Sequence, residues 1–344
     1  MMEISKQTSD LLLSLEKKKG TLPKFSVLRS IPRNRIIYGA PGTGKSNYLE
    51  REVGKIFGDN PYVFTRVTFF PGYTYGQFIG AYKPVPIYKK LSGEEEIFSS
   101  NFRDKMENFE PMIDYQFVPG PFIDVLIKAL KNRYTNFILI IEEINRANAA
   151  SVFGDIFQLL DRNKNGESDY PVTFGPDIMN YLARNGIKDE MIKLPSNFFI
   201  WATMNNADQG VLPLDTAFKR RWSFEYLELE KYRKAVDSWK LSLRYKGHNK
   251  VIMWNDFRDI INKRLKGKVP EDKLLGPFFL KESELWNQNV FKNKLLYYLK
   301  EDVFKHNPTI DFLNASTFSE LIEKYDGSDN IFTFDIDDSS FVSD

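Results

Sequence analysis

A chain of 344 residues, 42% hydrophobic and 27% charged, holds enough apolar side chain for a large core plus a smaller domain, which excludes a disordered chain or a lone mini-domain. Its 48 Lys and Arg against 46 Asp and Glu leave a net charge of +2, so no overall basic excess points to nucleic acid. The absence of Cys excludes disulfides, thiol nucleophiles and zinc-thiolate sites, and His248 and His306 alone cannot build a His-rich metal centre.

Residues 1–32 read as an arm: Leu11, Leu12, Leu13 and Leu15 backed by Lys17 to Lys19 predict a short helix, and Pro23 and Pro32 punctuate the approach to the first strand. The start lacks the charged-then-apolar pattern of a signal peptide, and no apolar run is long enough to span a bilayer, so the expected location is the cytoplasm with no membrane contact. From 33 to 226, short apolar runs alternate with helical patterns; Arg35 to Tyr38, Tyr62 to Phe69, Phe137 to Ile141 and Asn197 to Thr203 predict buried strands. Strands separated by helices predict an α/β fold with a parallel sheet. From 227 to 325 the texture changes to charged helices, with Leu227 to Arg244, Trp254 to Lys266, Gln288 to Lys305 and Thr317 to Tyr325 predicting a smaller helical domain. Residues 326–344 hold six aspartates and no base, together with Ile331, Phe332, Phe334, Ile336 and Phe341. They read as a frayed acidic tail or as a docking strand for a partner.

Gly39, Ala40, Pro41, Gly42, Thr43, Gly44, Lys45 and Ser46 follow the first strand directly and open a helix at Asn47, which is the G-x-x-x-x-G-K-S pattern in its strand-loop-helix setting. Glycines let backbone N–H groups close on phosphate oxygens, and the helix N-terminus adds its positive dipole end. Lys45 is placed to reach the β and γ phosphates and Ser46 to ligate Mg²⁺.

The apolar strand from Phe137 ends in Glu142 and Glu143, followed by Ile144, Asn145 and Arg146. Ligands of open parallel sheets bind at the carboxyl ends of the strands, so both carboxylates are expected beside the phosphate loop. Glu142 is expected to hold the metal's water shell, and Glu143 to orient or deprotonate an attacking water. The strand ending at Thr203 runs into Met204, Asn205 and Asn206, and Asn205 can reach a γ-phosphate or that water; Asn145 is a second candidate. Arg220 and Arg221, next to the apolar anchor Trp222, have the pattern of a guanidinium thrust across a subunit interface; surface ion pairing is the alternative.

This order of motifs resembles the AAA+ ATPase superfamily, and within it the McrB-like motor subunits of modification-dependent restriction systems. The resemblance runs from about residue 33 to 300. It rests on VTFFPGYTYGQFIGAYKP (Val67 to Pro84), FILIIEEINRAN (Phe137 to Asn148) and ATMNNADQGVLPLDTAFKRRW (Ala202 to Trp222), in which MNNAD stands for the family's M-N-T-A-D. It implies a nucleotide-dependent ring, commonly a hexamer, with NTP and Mg²⁺ at subunit interfaces and an McrC-like partner that carries or recruits a nuclease. DNA contact would come through partners. McrB-like motors are known for GTP and most AAA+ relatives for ATP; the residues leave that choice open. A MoxR-like or dynein-related chaperone acting on polypeptide is the alternative function. Glu142 departs from the family's usual Asp, keeping the charge and reaching about one methylene further. Only about 34 residues precede the phosphate loop, so target recognition is expected from another chain. The segment Glu271 to Leu280, where a lid sensor is expected, offers Lys273 and no Arg. The aromatics Phe69, Phe70, Tyr73, Tyr75 and Tyr82 are open between a stacking surface for bases and core packing.

Overall fold

The computed structural model describes residues 31–342, apart from 59, 91–95, 99–104, 108, 207–209, 306–309 and 328. The arm helix expected around Leu11, and Ala207 and Asp208 of the MNNAD segment, lie outside the described residues.

Strands β1 (Asn34–Tyr38), β2 (Phe64–Thr68), β7 (Phe137–Glu142), β8 (Phe198–Met204) and β9 (Ser223–Tyr226) form one sheet in the order β2-β7-β8-β1-β9, all parallel. Every residue of β7 and β8 is buried, as expected of parallel strands covered on both faces. Helix α1 (Lys45–Phe57) buries Lys45, Leu49, Val53 and Phe57, an i, i+4 stripe laid on the sheet. The short helix α2 (Tyr75–Phe78) is closed by a reciprocal Thr74–Gln77 capping box. Helix α3 (Pro121–Lys131) begins with Pro at its first turn, where no N–H is needed, and buries Phe122, Ile123, Val125, Leu126, Ile127 and Ala129. Helices α4 (Ala149–Phe153) and α5 (Pro176–Arg184) come between β7 and β8, and α6 (Thr216–Lys219) between β8 and β9.

Between α2 and α3 lies an insertion whose strands the sequence pattern does not announce. Strand β3 (Gly80–Lys90) pairs antiparallel with β6 (Phe109–Pro119) from Gly80↔Pro119 to Lys90↔Phe109. Two short strands between them, β4 (Glu96–Phe98) and β5 (Lys105–Glu107), pair with each other. Pro84, Pro86 and Pro111 mask the strand signal of this ribbon, and as an isolated pair it has room for them. Of the five aromatics left open, Phe69 is fully buried and stacks on Tyr73 at 4.7 Å, and Tyr73 and Tyr75 pack against the same core. Phe70 and Tyr82 are exposed.

After β9 a second hydrophobic cluster forms, from Val236 to Ile336. Helix α7 (Trp254–Leu265), the helical run through Phe291–Leu296 and Tyr298–Phe304, and helix α8 (Phe318–Asp326) agree with the expected helices. The expectation of helix from Leu227 to Arg244 fails. A single tight turn at Arg233–Val236 leads into strand β10 (Lys240–Tyr245), which pairs antiparallel with β11 (His248–Met253). The cause is a period-two pattern, with Leu241, Leu243 and Tyr245 buried alternately.

The acidic C-terminal segment also departs from the frayed-tail expectation. Ile331, Phe332 and Ile336 are buried in the second cluster, and β12 (Phe341–Val342) adds to β11 through Ile252↔Phe341 and Val251↔Val342. Its apolar residues outweigh its charge, and the strand docks on β11 beside the second cluster. Among the described residues, no helix is long and apolar enough to cross a membrane.

Candidate nucleotide site

Register decides which side chains meet. Tyr38 pairs with Met204 and Ile141 with Ala202, so the loops after β1, β7 and β8 leave the sheet side by side. The loop after β1 turns through Gly42 at φ 72° and Gly44 at φ 86°, left-handed conformations that a Cβ would strain. Gly44 is the N-cap of α1, so the first free N–H groups of that helix open onto the loop. Lys45 is buried and its Nζ donates to the carbonyls of Gly39 (2.8 Å) and Ala40 (3.0 Å), which folds it back across the loop. Thr43 caps the same turn through its hydroxyl to Ala40 O. Asn47 is exposed in the first turn of α1.

Glu142 is buried at the end of β7. Its Oε2 accepts from Ser46 Oγ (3.0 Å) and Thr203 Oγ1 (2.5 Å), while Oε1 is buried and accepts no hydrogen bond. Arg66 Nη1 stands 3.3 Å from Oε1. A hydroxyl and a carboxylate brought together are the all-oxygen donors that suit a hard cation such as Mg²⁺, which would take the place of Arg66 at Oε1. Among the described residues no group of three or more carboxylates and histidines could hold an ion alone, so phosphate oxygens and water would complete such a shell.

Glu143 sits at φ 57°, ψ 48°, a left-handed conformation that costs a non-glycine residue free energy and turns its side chain out of the strand direction. Asn205 Nδ2 donates to its Oε1 at 2.6 Å, and Arg146 Nε lies 3.6 Å from its Oε2. Asn145 is buried and donates to Asn205 O (2.7 Å), so it positions the Asn205 backbone. The Oδ1 atoms of Asn145 and Asn205 are buried and meet no hydrogen-bond donor among the described residues. Glu142, Glu143, Asn145, Arg146 and Asn205 are thus brought together next to the loop.

Arg220 and Arg221 lie after α6, whose N-cap Asp215 accepts from Phe218 N. They differ sharply. Arg221 is 8% exposed, pairs with Asp161 at 2.7 Å, donates to Ala217 O and lies 4.0 Å over the Phe157 ring. Arg220 is exposed, and among the described residues no hydrogen bond or ion pair holds its guanidinium. It lines, with Tyr38, Asn145, Met204 and Asn206, a cavity of about 780 Å³.

Sequence reasoning missed Arg66, whose proximity to Glu142 follows only from the pairing Thr68↔Glu142 between distant segments. It also missed Asp272. Burial pushes that carboxyl above its ordinary range, and Lys273 and Lys45 pull it back, so it shares the field of the loop lysine.

A family profile for the AAA domain (dynein-related subfamily) matches residues 34–222, more than half of the chain. A subunit of a type IV methyl-directed restriction enzyme, EcoKMcrB of Escherichia coli K12, is 29% identical over 201 residues, 58% of this chain and 36% of the relative; the chain thus spans about a third of that relative's length. The crystal structure of NtrX from Brucella abortus is 12% identical with a TM-score of 0.34, covering 92% of this chain and 62% of that one. The loop, the acidic strand end and the profile agree: the chain belongs to the dynein-related subfamily of AAA domains and is similar, over 201 residues, to the restriction-enzyme subunit.

Proposed function

We propose that the chain is the NTP-hydrolysing motor of a restriction or defence complex, assembling as a nucleotide-dependent ring, commonly a hexamer, with an McrC-like or nuclease partner that supplies DNA recognition and cleavage. One observation carries this reading: the phosphate loop, Glu142, Glu143 and Asn205 converge at one edge of the sheet, while Arg220 is exposed and has no partner among the described residues. Backbone N–H groups of Gly42 to Ser46 bind the phosphates, and Lys45 leaves its carbonyl partners to meet them. Ser46 and Glu142 hold Mg²⁺, which supplies neutralisation of the phosphate charge when bound. Glu143 accepts the proton of the attacking water, held in its turned-out position by Asn205 and Arg146. Arg220 stabilises the transferring phosphoryl of a neighbouring subunit. Similarity to a restriction-enzyme subunit favours DNA as the polymer acted on. The dynein-related profile equally accommodates the second reading, a chaperone that remodels polypeptide.

The test is hydrolysis and assembly of the purified chain with its genomic neighbour's product. Turnover is expected to rise with that partner and with DNA, to be abolished by Lys45→Ala, and to be accompanied by rings in mass photometry with a slowly hydrolysed triphosphate. Stimulation by unfolded polypeptide and indifference to DNA would select the chaperone, and a monomer under every condition would overturn the ring.

A further inference from the structure

Helix α7 carries three buried side chains with polar N–H groups four residues apart, Trp254, Arg258 and Asn262, and therefore on one face. All three bond the same stretch of backbone. Asn262 donates to Leu275 O (3.0 Å) and accepts from Leu275 N (2.8 Å); Arg258 Nη1 donates to Leu275 O (3.0 Å); Trp254 Nε1 donates to Pro277 O (2.8 Å). Arg258 is in turn fixed by two bonds to Glu230 and one to Asn255. The stretch so held touches the phosphate loop. Gly276 N donates to Pro41 O (3.1 Å) and Phe278 N to Gly42 O (2.7 Å). Contact is so close that a Cβ on Gly276 would stand 2.4 Å from the Gly42 carbonyl carbon, and one on Gly42 would stand 2.4 Å from Phe279 N.

The peptide plane gives this contact a direction. In a trans peptide the C=O and the following N–H point opposite ways. Holding the carbonyls of Pro41 and Gly42 against the strap turns the N–H groups of Gly42 and Thr43 away from it, toward the inside of the loop. The Thr43 N–H has only a long 3.4 Å contact to Ala40 O. Without the strap, two glycines in this turn would leave those peptides free to rotate.

We propose that Leu275 to Phe279 form a strap by which α7 sets the phosphate loop in its anion-binding conformation, so that Arg258 and Asn262 are positioning residues for nucleotide. The inference rests on the phosphate loop being the nucleotide site, and the experiment separates the two.

Binding of a fluorescent nucleotide and hydrogen exchange of residues 40–46 in nucleotide-free protein are measured for wild type, Asn262→Ala, Gly276→Ala and Lys45→Ala. Ile336→Val is the control, loosening the same core without touching the strap. Asn262→Ala and Gly276→Ala should weaken binding roughly tenfold, the scale of one or two lost buried hydrogen bonds, and speed exchange of the loop amides. The control should lower the melting temperature with neither effect. Wild-type affinity and exchange in both strap variants, or equal effects in Ile336→Val, would overturn the proposal. Unaltered binding in Lys45→Ala would instead count against the site, while loop exchange in nucleotide-free protein would still decide for or against the strap.

Discussion

Two adjacent arginines, one paired and buried and the other exposed, allow stability and turnover to be separated by single substitutions. Arg221→Ala removes a guanidinium that is 8% exposed, leaves Asp161 at 27% exposure without its 2.7 Å partner, and uncovers the Phe157 ring. An exposed pair contributes up to about 1 kcal/mol and breaking a buried one costs about 3–5 kcal/mol, so this half-buried pair with its ring contact should cost about 2–3 kcal/mol. Arg220→Ala removes a side chain with no fixed partner among the described residues, and its effect on stability should stay within about 0.5 kcal/mol. Its effect on turnover should be large, on the order of 10³-fold, if its guanidinium meets a transferring phosphoryl. Denaturant unfolding gives the first quantity and steady-state hydrolysis the second. Mixing Arg220→Ala with Lys45→Ala subunits then tests which subunit's phosphate it serves, since a mixed interface joins an intact loop to an intact arginine. Rescue across the mixing series, with assembly checked at each ratio, is the expected result. Full stability in Arg221→Ala together with lost turnover would reverse the assignment, and no rescue in properly mixed rings would place Arg220 outside the interface.

Glu143→Gln should retain nucleotide binding and lose about 10²–10⁴-fold in turnover, because the amide keeps the shape and Asn205 contact but accepts no proton; an unchanged single-turnover rate would move the base elsewhere. Phe332→Ala, in the segment expected to fray, should destabilise the fold by about 3–5 kcal/mol in denaturant unfolding, since the ring is buried beside Phe312 and Phe334; a loss under about 0.5 kcal/mol would restore the frayed tail. The Asp272 carboxyl is raised by burial, so folded protein binds its proton more tightly than unfolded protein does. Its contribution therefore falls as pH rises from the ordinary carboxylate range through the raised value. Asp272→Asn should be less sensitive than wild type over that window, and parallel stability curves would show that the group does not titrate differently on folding.

What a sequence shows of such a protein depends on how local the determining physics is. The phosphate loop is legible because glycine spacing, strand and helix lie within two dozen residues, and the sheet because two-sided burial forces continuous apolar runs such as Phe137 to Ile141. Strand β10 is not, because its alternation of Leu241, Leu243 and Tyr245 is interleaved with Lys240, Arg244 and other polar residues that also suit a helix surface. Arg66 meets Glu142 only through the register of two strands far apart in the chain. Arg220 and Arg221 are the same residue type at neighbouring positions, so composition and spacing cannot divide them; only the direction each leaves the turn after α6 does so.

The same distinction between local and distant bears on how nucleotide could be felt across the molecule. The loop's own residues supply the N–H groups, but nothing within Gly39 to Ser46 holds the outer carbonyls of Pro41 and Gly42. They are held by Gly276 and Phe278, more than two hundred residues later in the chain, whose neighbours Leu275 and Pro277 are bonded by a helix that buries Phe257, Ile261 and Leu265 in the second cluster. A change in the loop on binding or losing phosphate must either break those two bonds or carry the strap with it. Arg258 and Asn262 fix Leu275 at both its N–H and its C=O, which ties the strap to α7. Under the proposed strap, a displacement at the loop is carried to α7 rather than absorbed between the two.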